Sequence, residues 1–190
     1  MAEADILHEG YLGGSDDGRV GSTVGLVRDG AAVIVIDPGL VRDRRAILDP
    51  LSELSVRPDD VTDVVFSHHH PDHTLNAALF PEARFHDHWA VYQGDVWTSR
   101  PAEGFRLSPA VTLIETPGHS PQDISTLVET ERGLVVFTHL WWTSDGPAED
   151  PYAPDLSLLH ASRARVLSLL PALIVPGHGS LFKPSDQTPR

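Results

Sequence analysis

Four side chains able to hold a metal ion fall within six residues of this chain. They are His68, His70, Asp72 and His73, in the run Ser67-His68-His69-His70-Pro71-Asp72-His73. Neutral imidazoles and a carboxylate suit zinc or iron. The run follows an apolar stretch, residues 61–66, that reads as a buried strand. Pro71 lacks a backbone donor and pushes His70 toward an extended conformation, so the histidines fan out from a loop. Asp72 would then sit near the start of a helix over residues 74–79, where negative charge is favoured. Two more histidines follow apolar, strand-like runs in glycine-containing loops: His119 in Thr116-Pro117-Gly118-His119-Ser120 and His178 in Pro176-Gly177-His178-Gly179. Loops at strand ends are where rigid scaffolds carry site residues, and three such clusters in one chain point to metal binding.

These residues, in this order, resemble the metallo-β-lactamase superfamily, from about Ile6 through Phe182. The segment Val33-Ile34-Val35-Ile36-Asp37-Pro38-Gly39 is similar to the family's early strand ending in Asp-Thr-Gly or Asp-Pro-Gly. The resemblance implies an α/β fold, a four-layer αββα sandwich in a single domain over residues 1–182, with the metal cleft along one edge of its sheets. It also implies one metal site from His68, His70 and His119, and a second from Asp72, His73 and His178. The later segments resemble the small single-domain subgroup that includes metallo-β-lactamase-domain-containing protein 1.

One departure stands out. The family usually places a metal-bridging aspartate in a Gly-Asp pair at a strand end; here the segment reads Val136-Phe137-Thr138-His139-Leu140-Trp141-Trp142. Losing a bridging carboxylate leaves only Asp72 and a hydroxide to offset two dications, so second-metal affinity should fall. His139 is a candidate replacement ligand. Adjacent strand residues point to opposite faces, so His139 need not aim where an aspartate at position 140 would; packing beneath the site or hydrogen bonding to a ligand is the alternative.

At 190 residues the chain fits one domain. It has no cysteine, which excludes disulfides and thiolate ligands, and no apolar run approaching the roughly 18 residues of a bilayer span. The acidic start, Met1-Ala2-Glu3-Ala4-Asp5, differs from a signal peptide, so a cytoplasmic location is expected. A net charge of −13 makes nucleic acid a poor fit as a partner. A small-molecule substrate is expected, and no dimer signal is readable.

The elements that must position the ligands are strands over residues 6–12, 22–27, 31–36, 84–86, 105–107, 111–115, 125–129 and 134–137. Helices are expected over 42–54, interrupted or restarted at Pro50 with Asp49 as a cap, and over 155–170, where apolar side chains recur at helical spacing. Asp29-Gly30 suits a hairpin turn, residues 13–21 a loop over the cleft, and residues 183–190 a frayed tail. His69 should point away from the ligands, and His86 and His88 should lie in an exposed loop. Asp123 is a candidate acceptor for a ligand imidazole N–H. Trp141, Trp142 and Tyr152 either wall the cleft or cover core.

The leading expectation is a metal-dependent hydrolase acting on an ester, thioester, lactone or related small substrate. Asp72 would be the catalytic carboxylate, orienting water and passing a proton to the leaving group. The expected cofactor is zinc, one or two ions, with iron or manganese as alternatives. Competing readings are an iron-dependent dioxygenase of the same fold, a phosphodiesterase or ribonuclease, and a non-catalytic metal-binding domain.

Overall fold

The computed structural model describes residues 1–13 and 18–190. Residues 14–17, inside the expected loop over the cleft, lie outside the described residues.

Two main sheets carry the chain. Ranges in chain order are β1 Glu3–His8, β2 Tyr11–Leu12, β3 Val20–Gly21, β4 Val24–Asp29, β5 Ala32–Ile36, β6 Asp63–Val65 and β7 Arg84–His86. They continue with β8 Ala90–Gln93, β9 Val96–Ser99, β10 Arg106–Ser108, β11 Val111–Glu115, β12 Ile124–Thr130, β13 Gly133–Phe137 and β14 Leu173–Val175. The first sheet is ordered β1-β4-β5-β6-β7-β8-β9 and the second β10-β11-β12-β13-β14. The β4–β5 hairpin turns at Gly30, whose φ of +62° is readily adopted by glycine. The β8–β9 hairpin was not foreseen: its polar and aromatic residues give little alternation, and β9 is exposed throughout.

Alternation along the strands places one apolar face of each sheet inward. Val27, Ile34, Ile36 and Val65 of the first sheet meet Val111, Leu113, Val128, Val135 and Phe137 of the second. The sheets approach closely where Gly25 faces Phe137; a Cβ there would lie 2.3 Å from the ring. The outer face of the first sheet packs on α1 (Arg45–Glu53) through Ile47 and Leu51, both fully buried. Each such side chain stabilises by about 1.5–3 kcal/mol. The outer face of the second sheet packs on α3 (Leu156–Ser168) through Leu159 and Val166. Four layers result: helix, sheet, sheet, helix.

Local details differ from the sequence reading. Helix α1 runs through Pro50 without restarting, and Asp43, not Asp49, accepts from the Arg45 amide at its start. The expected helix over 74–79 is a short helix α2, Pro71–Thr74, followed by a 3-10 turn at Leu75–Leu79. Helix α3 starts at Asp155, whose carboxylate accepts from the Ser157 and Leu158 amides, worth about 1 kcal/mol. Within residues 183–190, Thr188 is buried and the Pro189 carbonyl accepts from Trp141 Nε1 at 2.8 Å.

Candidate metal centre

Five loops converge at one edge of the sandwich, each leaving the C-terminal end of a strand. Asp37 follows β5, His68 follows β6, His119 follows β11, His139 follows β13 and His178 follows β14. The two sheets are joined there by backbone hydrogen bonds from Thr23 N to Gly177 O (2.8 Å) and from Ile124 N to Ser67 O (2.9 Å). The loops bearing His68 and His178 are therefore tied to the opposite sheet.

Four histidines have their outer nitrogen fixed by an acceptor. His73 Nδ1 lies 2.7 Å from Asp37 Oδ2, and His119 Nδ1 lies 2.7 Å from Asp150 Oδ2. His178 Nδ1 lies 2.9 Å from the Gly21 carbonyl. His68 Nδ1 lies 3.0 Å from Ser67 Oγ, which itself donates to Asp37. Each contact makes Nδ1 the protonated nitrogen and leaves the Nε2 lone pair facing inward, as metal ligation requires. Asp37 is the hub, accepting from the Ser67 amide, the Ser67 hydroxyl and His73. Its φ of +49° is a left-handed conformation that aspartate tolerates better than most residues.

The inward nitrogens gather into two overlapping groups. His68, His119 and His139 form one, and His73, His139 and His178 the other, with the ligand atoms of each group within 4.8 Å of one another. His70 Nδ1 lies 3.0 Å from His119 Nε2 beside the first group. Asp72 Oδ2 lies 3.5 Å from His73 Nε2 and 4.0 Å from His178 Nε2 beside the second. His68 Nε2, His73 Nε2 and His139 Nδ1 are buried without a hydrogen-bond partner. Buried orphan nitrogens are costly, and a donor set of imidazoles with one carboxylate is what a divalent cation would satisfy. The residues fit such an ion.

Burial disfavours the charged form of four of these imidazoles, His68, His70, His139 and His178. It holds His68 and His139 well below the usual histidine range, with repulsion among the neighbouring rings adding to the effect. His178 is lowered to about 4, again chiefly by burial. Burial would raise the Asp150 carboxyl, but hydrogen bonds from His119, the Tyr152 amide and Trp142 outweigh it and keep the group ionised.

The centre forms the floor of a cleft of about 410 Å³. Leu12, Val20, Trp142 and Tyr152 line its walls, with Arg19 at the edge. The Trp142 and Tyr152 rings stack with centroids 5.8 Å apart, and Tyr152 sits 5.7 Å from the His119 ring.

A family model described as "Metallo-beta-lactamase superfamily" matches residues 17–140. The chain belongs to the metallo-beta-lactamase superfamily. It is 35% identical over 183 residues to metallo-beta-lactamase domain-containing protein 1 of Homo sapiens, covering 89% of this chain but 66% of that protein. The Xenopus laevis protein of that name is 30% identical, with 94% of this chain and 80% of the relative covered. An N-acyl homoserine lactonase of Bacillus cereus is 30% identical over 48% of this chain and 43% of its own length. Among solved structures, a metallo-beta-lactamase fold protein from Thermotoga maritima superposes with a TM-score of 0.72 at 24% identity, covering 96% of this chain and 99% of its own. An N-acyl homoserine lactone hydrolase with N-hexanoyl-L-homoserine at its catalytic metal centre gives 0.67 at 21% identity, covering 93% and 92%. Both show the αββα metallo-beta-lactamase fold.

Within that fold, the departed Gly-Asp position resolves clearly. Leu140 is fully buried and packs in the outer core with Leu159, so it does not occupy the place of an aspartate. His139 turns inward instead. Its ring lies over Gly177, where a Cβ would meet the ring at 2.3 Å.

Several other expectations need correction. Asp123 does not receive a ligand imidazole; its carboxylate accepts from the Ser120 amide and hydroxyl, and its carbonyl accepts from Thr116 N, so it fixes the loop that carries His119. The acceptor for His119 is Asp150, whose distance in sequence hid it. The aromatic trio divides: Trp141 is fully buried core, whereas Trp142 and Tyr152 line the cleft. His86 is not in an exposed loop; it is buried on β7 with Nε2 2.8 Å from Asp63, because β7 is an interior strand. His69 does point away, bonding Asp87 at 3.2 Å and stacking on Trp89. Gly21, Ser67 and Asp37 orient His178, His68 and His73 yet carry no motif beyond Asp37-Pro38-Gly39.

Proposed function

We propose that this protein is a metal-dependent hydrolase of a small, uncharged ester-type substrate, a lactone, ester or thioester with an apolar portion. The observation that carries the reading is the convergence of buried, unpartnered imidazole nitrogens on the floor of an open cleft. His68, His70 and His119 would hold one ion and Asp72, His73 and His178 a second, with zinc the first choice. A divalent cation held there would supply Lewis acidity and lower the pKa of a bound water to about 7.

The remaining work falls to the chain. Asp72 is only partly buried at the cleft floor, so its carboxylate can accept a hydrogen bond from the attacking water. The same carboxylate then carries the proton to the leaving oxygen or sulfur. Asp37 and Asp150 hold His73 and His119 in their outward-protonated tautomers. Trp142 and Tyr152, with Leu12 and Val20, offer an apolar wall to an acyl chain and exclude water from one side. The lactonase relative and the lactone hydrolase structure support this substrate class by likeness.

The test is elemental analysis of chelator-free protein, followed by turnover of an acyl homoserine lactone, an aryl ester and an acyl thioester. Zinc-dependent hydrolysis of at least one, abolished by chelator and restored by zinc, is expected. Asp72→Ala should lower kcat by about 100-fold or more. Metal-loaded protein that hydrolyses none of the three, or an Asp72→Ala variant with full turnover, overturns the reading.

A further inference from the structure

We propose that His139 joins the two halves of the metal centre through both of its ring nitrogens, one to each ion. It would thereby supply in an imidazole ring the link that a carboxylate makes in the family's usual arrangement. The inference rests on the metal-binding reading above and concerns one residue of it.

Three observations carry it. First, among the described residues His139 alone belongs to both ligand groups, and its ring centroid lies 4.5 Å from that of His68, 4.2 Å from His119, 4.8 Å from His73 and 5.1 Å from His178. It stands between the halves rather than within one.

Second, its hydrogen bonding differs in kind from its neighbours'. His68, His73, His119 and His178 each commit Nδ1 to an acceptor outside the centre. His139 has no such acceptor: Nδ1 is buried with no partner, and Nε2 meets only His178 Nε2, 3.2 Å away. A histidine that ligates through one nitrogen normally donates the other N–H to a carboxylate, carbonyl or water. Here that N–H would be stranded, at a cost of about 1–3 kcal/mol. In the alternative in which His139 merely packs beneath the site, Nε2–H can donate to His178 Nε2 only while that nitrogen holds no ion, and Nδ1 stays buried without a partner, so the cost returns once His178 is a ligand. Using both nitrogens as ligands removes it.

Third, charge and space agree. When both nitrogens coordinate, the ring's one N–H proton passes to solvent and the ring carries −1, the charge a bridging aspartate would bring. The ring fits between the halves only because position 177 is glycine, since a Cβ there would lie 2.3 Å from its Cδ2 and 2.6 Å from Nε2. The Leu140 side chain, which might have been read as the lost ligand position, is committed to the core.

The experiment uses the whole, ¹⁵N-labelled chain loaded with zinc, with zinc content per chain read by elemental analysis and ring protonation by long-range ¹H–¹⁵N NMR. Two zinc ions are expected, with no N–H on the His139 ring while His73, His119 and His178 keep their outer N–H. His139→Gln should bind one zinc in place of two, and His139→Asp should restore the second. An N–H retained on His139 in the zinc-loaded protein overturns the link and leaves the hydrolase reading standing, as does a His139→Gln variant that holds two ions as tightly as the parent. Protein that takes up no zinc overturns both.

Discussion

His119 Nδ1 and Asp150 Oδ2 lie 2.7 Å apart, although 31 residues separate them in the chain. The same carboxylate oxygen accepts from Trp142 Nε1 at 2.7 Å. One aspartate on a long connection thus orients a candidate ligand imidazole and anchors an aromatic wall of the cleft. Asp150→Asn keeps an acceptor but removes the charge that fixes the tautomer. Zinc affinity should fall by about 10–100-fold, measured by competition with a chromophoric chelator. Affinity unchanged within about twofold would show that Asp150 does not orient His119.

Arg163 holds that connection from behind. Fully buried on α3, its guanidinium donates to the carbonyls of Leu140, Ala148 and Pro147 at 2.9, 2.6 and 2.7 Å. Arg163→Met fills similar volume and strands these acceptors. A loss of about 2–4 kcal/mol is expected, read as a Tm lower by roughly 5–15 °C. Because the connection carries His139, Trp142 and Asp150, zinc affinity should drop too. A Tm within about 2 °C of the parent would contradict the anchoring role.

Tyr152 separates binding from stability. It is 67% exposed yet lines the cleft and stacks on Trp142. Tyr152→Ala should raise KM about 3–10-fold for a substrate with a long acyl chain and leave kcat, short-chain KM and Tm nearly unchanged. Equal losses for long and short chains would remove the apolar wall from the account.

The metal-free protein should lose stability on mild acidification. Burial lowers the histidines at 68 and 139 well below their unfolded value, and that at 178 to about 4. The unfolded chain therefore binds more protons below about pH 6.5, and stability falls as pH drops through that value toward about 4. Asp123 works in the opposite sense, since burial raises its carboxyl to about 6 and protonation then favours the fold. Three histidines outweigh one aspartate. From about pH 7.5 to about pH 5.5 the net loss should be about 2–4 kcal/mol, followed by thermal unfolding in chelator. A flat profile would mean that the imidazoles are not buried in neutral form.

The candidate ligands were legible in the sequence because their spacing is local: His68 and His70 precede Pro71, and Asp72 and His73 lie in the short helix that Pro71 starts. His119 and His178 were legible because each follows an apolar run and a glycine, and the alternating apolar runs were enough to expect the layered α/β fold. What faces what could not be read the same way. Asp37, Asp150 and the Gly21 carbonyl reach their histidines across 36, 31 and 157 residues. No local pattern marks such partners, because hydrogen bonds at the end of a sandwich depend on how two sheets stack. The inward turn of His139 and outward turn of Leu140 were likewise undecidable from adjacency, since neighbouring residues leaving a strand can take either face. Packing settled it. Leu140 is held in the outer core beside Leu159, and Gly177 on the neighbouring loop leaves space for an imidazole where any side chain would collide.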